Sequence, residues 1–301
     1  MQPQPAELKY PKYPFTDVLG WSISRHEVFD KCKRQYFYQY YSKHVKDAPQ
    51  YKISKLKGLT SVPLEIGNAV HDCMEALLNR LQKSDSGIDE ERFFKFADDK
   101  LKEYFSAKSF IEIYYKQEEA LDIAAAGEKV RACLSNFIES PCYSWLYMKA
   151  MTNRTGWMIE PPGYGETRLC GMKAYCKMDF LFPVDDGVYI LDWKTGAKDQ
   201  AKHSAQLMGY AAAANSNFSI PWNMIFPKIV YLYPEYDELE IKFSESDLTG
   251  YFQTIREQTE AMYALCDDVE RNVPLDISAF EKSPSPFLCK NCRFQELCGI
   301  A

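Results

Sequence analysis

The chain has no apolar run near the roughly 18 consecutive residues that a membrane span needs. Its opening, MQPQPAELKYPKYP, has no signal-peptide core. Both absences lead to the expectation of a cytoplasmic protein with no membrane partner. An excess of basic charge is also missing: 36 Lys and Arg stand against 42 Asp and Glu, a net charge of −6. A protein gripping nucleic acid over its whole surface would be basic, so any such contact is expected in a local groove. No G-x-x-x-x-G-K-[ST] motif of the kind helicases carry occurs. Ten cysteines in such a compartment do not read as a disulfide framework. Six of them (Cys73, Cys133, Cys142, Cys170, Cys176 and Cys266) are scattered and read as small buried hydrophobes, which leaves the clustered ones as candidate metal ligands.

At 301 residues the chain can bury a substantial core as one large domain or two, and 46% hydrophobic with 26% charged residues is ordinary for a globular protein. Its most informative stretch is Cys176 to Tyr210. Cys176 to Val184 reads as a strand, Asp185-Asp186-Gly187 as a hairpin turn, and Val188 to Lys194 as a second strand. Alternation places Asp192 and Lys194 on one face and Trp193 on the other. A carboxylate on each strand, Asp179 and Asp192, with a lysine beside them, suits a hard divalent cation that leaves room for water and a phosphate oxygen. Acid and lysine pairs also occur at strand ends for structural reasons, so the spacing alone leaves both readings open.

Asp179, then twelve residues, then Asp192-Trp193-Lys194-Thr195-Gly196, then Gln206-Leu-Met-Gly-Tyr210, resembles the PD-(D/E)XK nuclease superfamily. The nearest branch is the RecB/AddB-like nucleases, which include the CRISPR-associated iron–sulfur nucleases. The resemblance implies that His71, in Gly67-Asn-Ala-Val-His71, joins Asp179 and Asp192 in holding Mg²⁺ or Mn²⁺, with the Trp193 carbonyl a further ligand. Lys194 would assist attack of water on a phosphodiester, and Gln206 and Tyr210 would face the active site. Taken alone, His71 reads as a structural histidine, and Gln206 and Tyr210, at i and i+4 of an Ala-rich helix over 200 to 215, read as packing. Related nucleases carry a glutamate on the strand before the first aspartate. Glu160 and Glu166 both qualify, and Glu160 fits better because it follows the apolar run Trp157-Met158-Ile159.

Elsewhere the reading is coarser. Ser24 and Glu27 form a capping-box pattern before a helix expected to carry Val28, Phe29, Cys32, Phe37 and Tyr40. Its interleaved basic and aromatic residues fit a DNA-facing surface or, more simply, a core helix with a solvated face. Residues 43 to 57 read as a basic connecting loop or edge, and Gly67 as the opening of a helix with His71 in its first turn. Pro161 to Gly165 reads as a turn, Thr167 to Leu169 as a short strand, and 228 to 233 and 239 to 243 as two more strands. A long helix is expected from about Glu245 to Glu270, with Cys266 on it.

The chain closes on Cys289-x2-Cys292-x5-Cys298. Three thiolates can hold a metal, but a closed zinc site or a cubane cluster needs four ligands. By resemblance the fourth is Cys32, giving a structural [4Fe–4S] cluster that staples the N-terminal helix to the C-terminus; zinc in the same ligands is the alternative.

The expectation is therefore an α/β fold: a central mixed β-sheet flanked by helices (a restriction-endonuclease-like core), with an iron–sulfur-stapled terminus. Residues 1–20 form an extended segment and 21–301 one nuclease domain, in which 84–150 is a helical insertion and 284–301 a cysteine tail packing on the N-terminal helix. The expected activity is that of a metal-dependent DNA exonuclease acting on single strands or DNA ends. An idle nuclease fold serving as a DNA-binding or assembly subunit is the alternative; it would show a damaged constellation, and this one is intact.

Overall fold

The computed structural model describes residues 8–46, 48–84, 86–152, 154–161, 165–184 and 187–299. The first half is helical: α1 (Ile23–Lys31), α2 (Lys33–Tyr40), α3 (Gln50–Lys57), β1 (Leu59–Thr60), α4 (Val62–Lys83), α5 (Glu90–Ala107), β2 (Ser109–Phe110), α6 (Ile111–Tyr114), α7 (Ile123–Ile138) and α8 (Pro141–Thr152). The second half carries the sheet: β3 (Met158–Ile159), β4 (Glu166–Leu169), β5 (Met172–Tyr175), β6 (Phe180–Val184), β7 (Gly187–Lys194), α9 (Gln200–Phe218), β8 (Ile225–Tyr231) and β9 (Asp237–Glu240). It ends with α10 (Glu245–Tyr263), β10 (Cys266–Asp268), β11 (Val273–Pro274), α11 (Pro286–Lys290) and α12 (Gln295–Cys298).

The main sheet has five strands in the order β3-β6-β7-β8-β9. All its pairs are antiparallel except β7 with β8. A parallel pair needs a crossover, and α9 supplies it. This is the mixed α/β sheet flanked by helices that the sequence leads one to expect. Alternation along the strands splits the core in two. Val188 and Ile190 of β7 join a cluster with α1, α2, α9 and α10, whereas Leu191 and Trp193 join a cluster with α4, α5, α7 and α8. Trp193 lies edge-on to Phe137 of α7, ring centroids 5.2 Å apart. Helices thus cover both faces of the central strands, whose near-continuous apolar runs have no solvated side.

Several boundaries differ from the sequence reading. The cap of α1 is Ser22, not Ser24: Ser22 is extended (φ −154°) and its Oγ accepts from the Arg25 N–H, which leaves Ser24 inside the helix. The expected single helix breaks at Cys32, which is extended (φ −162°, ψ 109°), ends α1 and caps α2. Phe29 of α1 and Tyr36, Phe37 and Tyr38 of α2 are buried, so these aromatics serve the core. Within 43 to 57 lies a helix, α3, with Ile53 and Leu56 buried. Helix α4 starts at Val62 with Pro63 in its first turn, where a missing N–H costs nothing, so His71 stands well inside the helix.

Strand β6 begins at Phe180, not Cys176, because Asp179 turns its side chain to the Trp193 N–H instead of extending the ladder. Helix α10 stops at Tyr263, and Cys266 lies on the short β10–β11 hairpin. Asp185 and Asp186 of the expected turn lie outside the described residues, as do 162–164, although Val184 pairs with Gly187 as a tight hairpin requires.

Candidate active site

The functional side chains come from four places. His71 projects from α4, Glu160 follows β3, Asp179 precedes β6, and Asp192 and Lys194 end β7. The backbone ties the two acid-bearing segments together, since the Glu160 N–H donates to the Asp179 carbonyl at 2.8 Å. Glu160 adopts a left-handed conformation (φ 39°), uncommon for a residue with a Cβ. That bend follows the end of β3 and brings its carboxylate to His71. His71 Nδ1 lies 3.3 Å from Glu160 Oε1 and 3.5 Å from Asp179 Oδ2. One ligand atom from each of the three residues lies within 4.8 Å of the others.

Asp192 stands beside this trio and is held differently. Its Oδ1 accepts from the Gln206 amide at 3.0 Å and from the Tyr210 hydroxyl at 2.5 Å, both from α9. Its buried Oδ2 has no well-aligned hydrogen-bond donor, although the Lys194 ammonium is pressed against it. Asp179 Oδ2 accepts the Trp193 N–H at 2.9 Å, which joins the two acidic strand ends through the backbone. Lys177 pairs with the free oxygen of Glu160 at 2.7 Å.

The three carboxylates stand close enough to act on one another and on His71. Burial and the neighbouring Asp192 carboxylate raise the Asp179 carboxyl well above the usual range. Burial works against protonation of His71, but Asp179, Glu160 and Asp192 outweigh it and push the imidazole up to about 9. Burial raises the Tyr210 hydroxyl well above its ordinary value, so it remains a donor to Asp192. An imidazole and three carboxylates, with Asp192 Oδ2 buried without an aligned hydrogen-bond donor, form a donor set of the kind a hard divalent cation accepts. The residues present fit such an ion.

Around this group opens a cleft of about 570 Å³ that includes His71, Glu160, Asp179, Trp193 and Lys194. His71, Glu160, Asp179, Asp192, Trp193, Lys194, Gln206 and Tyr210 all stand at or beside this centre. Glu166 is elsewhere, paired with Arg168 at 2.8 Å. Lys177 was not foreseen. No motif marks it, because its role depends on the unpaired segment between β5 and β6 lying beside Glu160.

The cysteines form a second centre. Cys32, Cys289, Cys292 and Cys298 line one small pocket with Leu288 and Phe294. Burial, then the facing thiols of Cys298, Cys32 and Cys289, raise the Cys292 thiol to about 11. Backbone N–H groups of Gln35, Ser285 and Phe294 point at the sulfurs of Cys32, Cys289 and Cys292 at 3.4 to 3.5 Å. Such donors stabilise thiolates, so this set also fits a thiophilic metal or cluster. Cys266 contacts the Tyr41 hydroxyl instead.

The family model of the PD-(D/E)XK nuclease superfamily matches residues 20–299. The chain belongs to that superfamily. Among solved structures, a protein from Eubacterium rectale described as a "Putative exonuclease" is 14% identical, with a TM-score of 0.43 over 89% of this chain and 91% of that one. The protein SSO0001 is 17% identical, with a TM-score of 0.29 over 70% of this chain and 96% of its own. No curated protein matches the chain. Membership makes this a phosphodiester-cleaving fold. The superfamily typically uses divalent metals, in keeping with the acidic centre at His71, Glu160 and Asp179. No helix among the described residues is long and apolar enough to cross a membrane.

Proposed function

We propose that the chain is a cytoplasmic, Mg²⁺- or Mn²⁺-dependent deoxyribonuclease of the RecB/AddB-like branch, acting as an exonuclease on single strands or DNA ends. The observation that carries this reading is the convergence of His71, Glu160 and Asp179, with Asp192 and Lys194 adjoining them. His71, Asp179 and Glu160 would hold the cation, with Asp192 and the Trp193 carbonyl at its edge. A bound divalent cation supplies Lewis-acid polarisation of the phosphate and a more acidic water.

The chain's own residues do the positioning. Tyr210 and Gln206 lock one oxygen of Asp192, so the other stays turned to Lys194. The Lys194 ammonium then faces the cleft, where it offsets charge that develops on a phosphate oxygen. Lys177 holds Glu160 in its bent conformation by charge pairing. Cys32, Cys289, Cys292 and Cys298 would carry a structural [4Fe–4S] cluster, and strand separation would come from a helicase or another DNA-processing partner.

The test is degradation of end-labelled linear and of circular DNA, single- and double-stranded, with Mg²⁺ or Mn²⁺, by protein purified without oxygen. Wild type should shorten linear strands and spare circles, whereas Lys194→Ala and Asp179→Asn should be inert. If all three proteins behave alike, the enzyme reading fails and an idle DNA-binding or assembly subunit takes its place. Iron and acid-labile sulfide should be found together; zinc without iron would overturn the cluster.

A further inference from the structure

The cleft at the catalytic group continues into a second one. This neighbour, about 670 Å³, shares Lys177 and Lys194 with the first, so the two clefts meet at the lysines that pair with Glu160 and Asp192. One wall is the start of α1, with Ser22, Ser24 and Arg25; the other is α9, with Lys202, His203 and Gln206. Four lining residues are cationic, Arg25, Lys177, Lys194 and Lys202, against the single acid Glu27. On a chain of net charge −6 this is a local basic groove, the form an anionic polymer track takes on an acidic protein.

Three of these cations are committed to carboxylates. Lys177 pairs with Glu160 at 2.7 Å, Lys194 with Asp192, and Lys202 with Glu27 at 3.0 Å. Among the described residues, Arg25 has no carboxylate partner. Neutral groups hold it instead: its Nη1 donates to the Gly20 carbonyl at 2.9 Å, and its guanidinium lies 4.2 Å from the Tyr40 ring centroid. Its Nε is buried without a hydrogen-bond partner. The side chain is therefore fixed in place while its charge stays uncompensated. A rigid planar guanidinium with spare donors matches a phosphate in a way a lysine does not.

We propose that this second cleft binds the nucleic-acid strand beside the cleaved bond, with Arg25 holding a phosphate that flanks the scissile one. The proposal rests on the nuclease reading above and adds a substrate requirement: the preferred substrate carries at least one phosphate besides the one attacked. A lone phosphodiester reaches the metal centre without this contact.

The test separates the two readings. Binding of a labelled thymidine oligonucleotide is measured across salt concentrations, without divalent metal, for wild type, Arg25→Ala and Arg25→Lys. Cleavage of that strand and of bis(p-nitrophenyl) phosphate, a lone diester, is then measured with Mn²⁺. Arg25→Ala should flatten the log–log salt slope by about 0.7, the value for one phosphate contact on a single strand. It should also lose more on the strand than on the lone diester. Arg25→Lys keeps the charge but not the fork, so it should retain the slope and bind more weakly. An unchanged slope in Arg25→Ala, or equal losses on both substrates, would overturn the proposal. Wild-type protein that cuts neither substrate sinks the nuclease reading instead, and the salt slope still reports on Arg25.

Discussion

The Tyr210 hydroxyl donates to Asp192 Oδ1 at 2.5 Å, from a residue one turn along α9 from Gln206, which donates to the same oxygen at 3.0 Å. One carboxylate oxygen is thus saturated by neutral donors, while the other faces Lys194. The pair fixes which way Asp192 points, and through it where the Lys194 ammonium sits. On the proposed function, a crossover helix packed on the sheet in this way positions the candidate catalytic groups.

Tyr210→Phe should therefore lower strand cleavage by about 10- to 100-fold, the usual cost of removing a group that orients a ligand or catalytic residue. The ring stays, so the packing of α9 on β8 should be kept and the melting temperature nearly so. Steady-state cleavage beside a thermal melt checks this. A variant as active as wild type would remove Tyr210 from the positioning role.

The pH response of the metal-free protein has a defined sign. His71 is raised from an ordinary value of 6.5 to about 9, so it stabilises the fold below 6.5 and that contribution is lost as pH rises through about 9. Asp179 is also raised, so it too binds more protons folded than unfolded, and its ionisation costs stability as pH rises. In a chelator, the melting temperature should fall between about pH 6.5 and about pH 9. A divalent cation must displace the His71 proton, so its affinity should rise over the same range and its addition should flatten the stability curve. Melts with and without Mg²⁺, repeated on His71→Asn, measure both effects. A curve equally steep in His71→Asn would assign the slope to other groups.

How much of this was legible beforehand divides along physical lines. The shared face of Asp192 and Lys194 follows from strand alternation, and the return of β7 alongside β6 from a tight hairpin, which are local rules; that Asp179 sits just before β6 with its carboxylate on the Trp193 N–H does not. The mixed sheet follows from apolar runs separated by a helix. The break at Cys32 was not legible, because a lone cysteine in a basic-aromatic run carries no breaking signal; its sulfur takes the cap role only in the folded chain. In sequence Gly67 looks like a helix opening, but Pro63 marks the first turn of α4. Glu160 could be named from its place after an apolar run, but its left-handed backbone and its approach to His71 depend on Asp179 and α4, far away in sequence. Arg25 could not be told from its basic neighbours, since what distinguishes it is its place on the wall of the second cleft.

Trp193 lies between Asp192 and Lys194 but points the other way, fully buried against Phe137. Phe137→Ala should cost about 3–5 kcal/mol by leaving a cavity at that contact. Because the same strand end carries Asp192 and Lys194, both proposed catalytic groups, a shift of about 1 Å there should also cut activity by roughly 100-fold. Urea unfolding with an unchanged slope, together with cleavage assays, tests the pair of effects. Lost stability with full activity would show that β7 holds its place without this packing.

The cysteine pocket joins the junction of α1 and α2 to the end of the chain. Around it, the Arg34 N–H donates to the Glu281 carbonyl at 3.0 Å and the Tyr38 hydroxyl to the Leu297 carbonyl at 3.3 Å. These bonds by themselves leave four thiols facing one another, and burial raises those of Cys292 and Cys298 above the ordinary thiol value. A metal or cluster held by all four acts as one cross-link closing a loop of nearly the whole chain, so losing any single ligand should cost most of what it contributes. Cys32→Ser and Cys298→Ser should each lower the melting temperature of the metal-loaded protein, and the double variant should be little worse than either alone. Chelation should bring wild type down to the same level. Additive losses would mean that the cysteines stabilise the fold separately, as packing groups, with no shared ion between them.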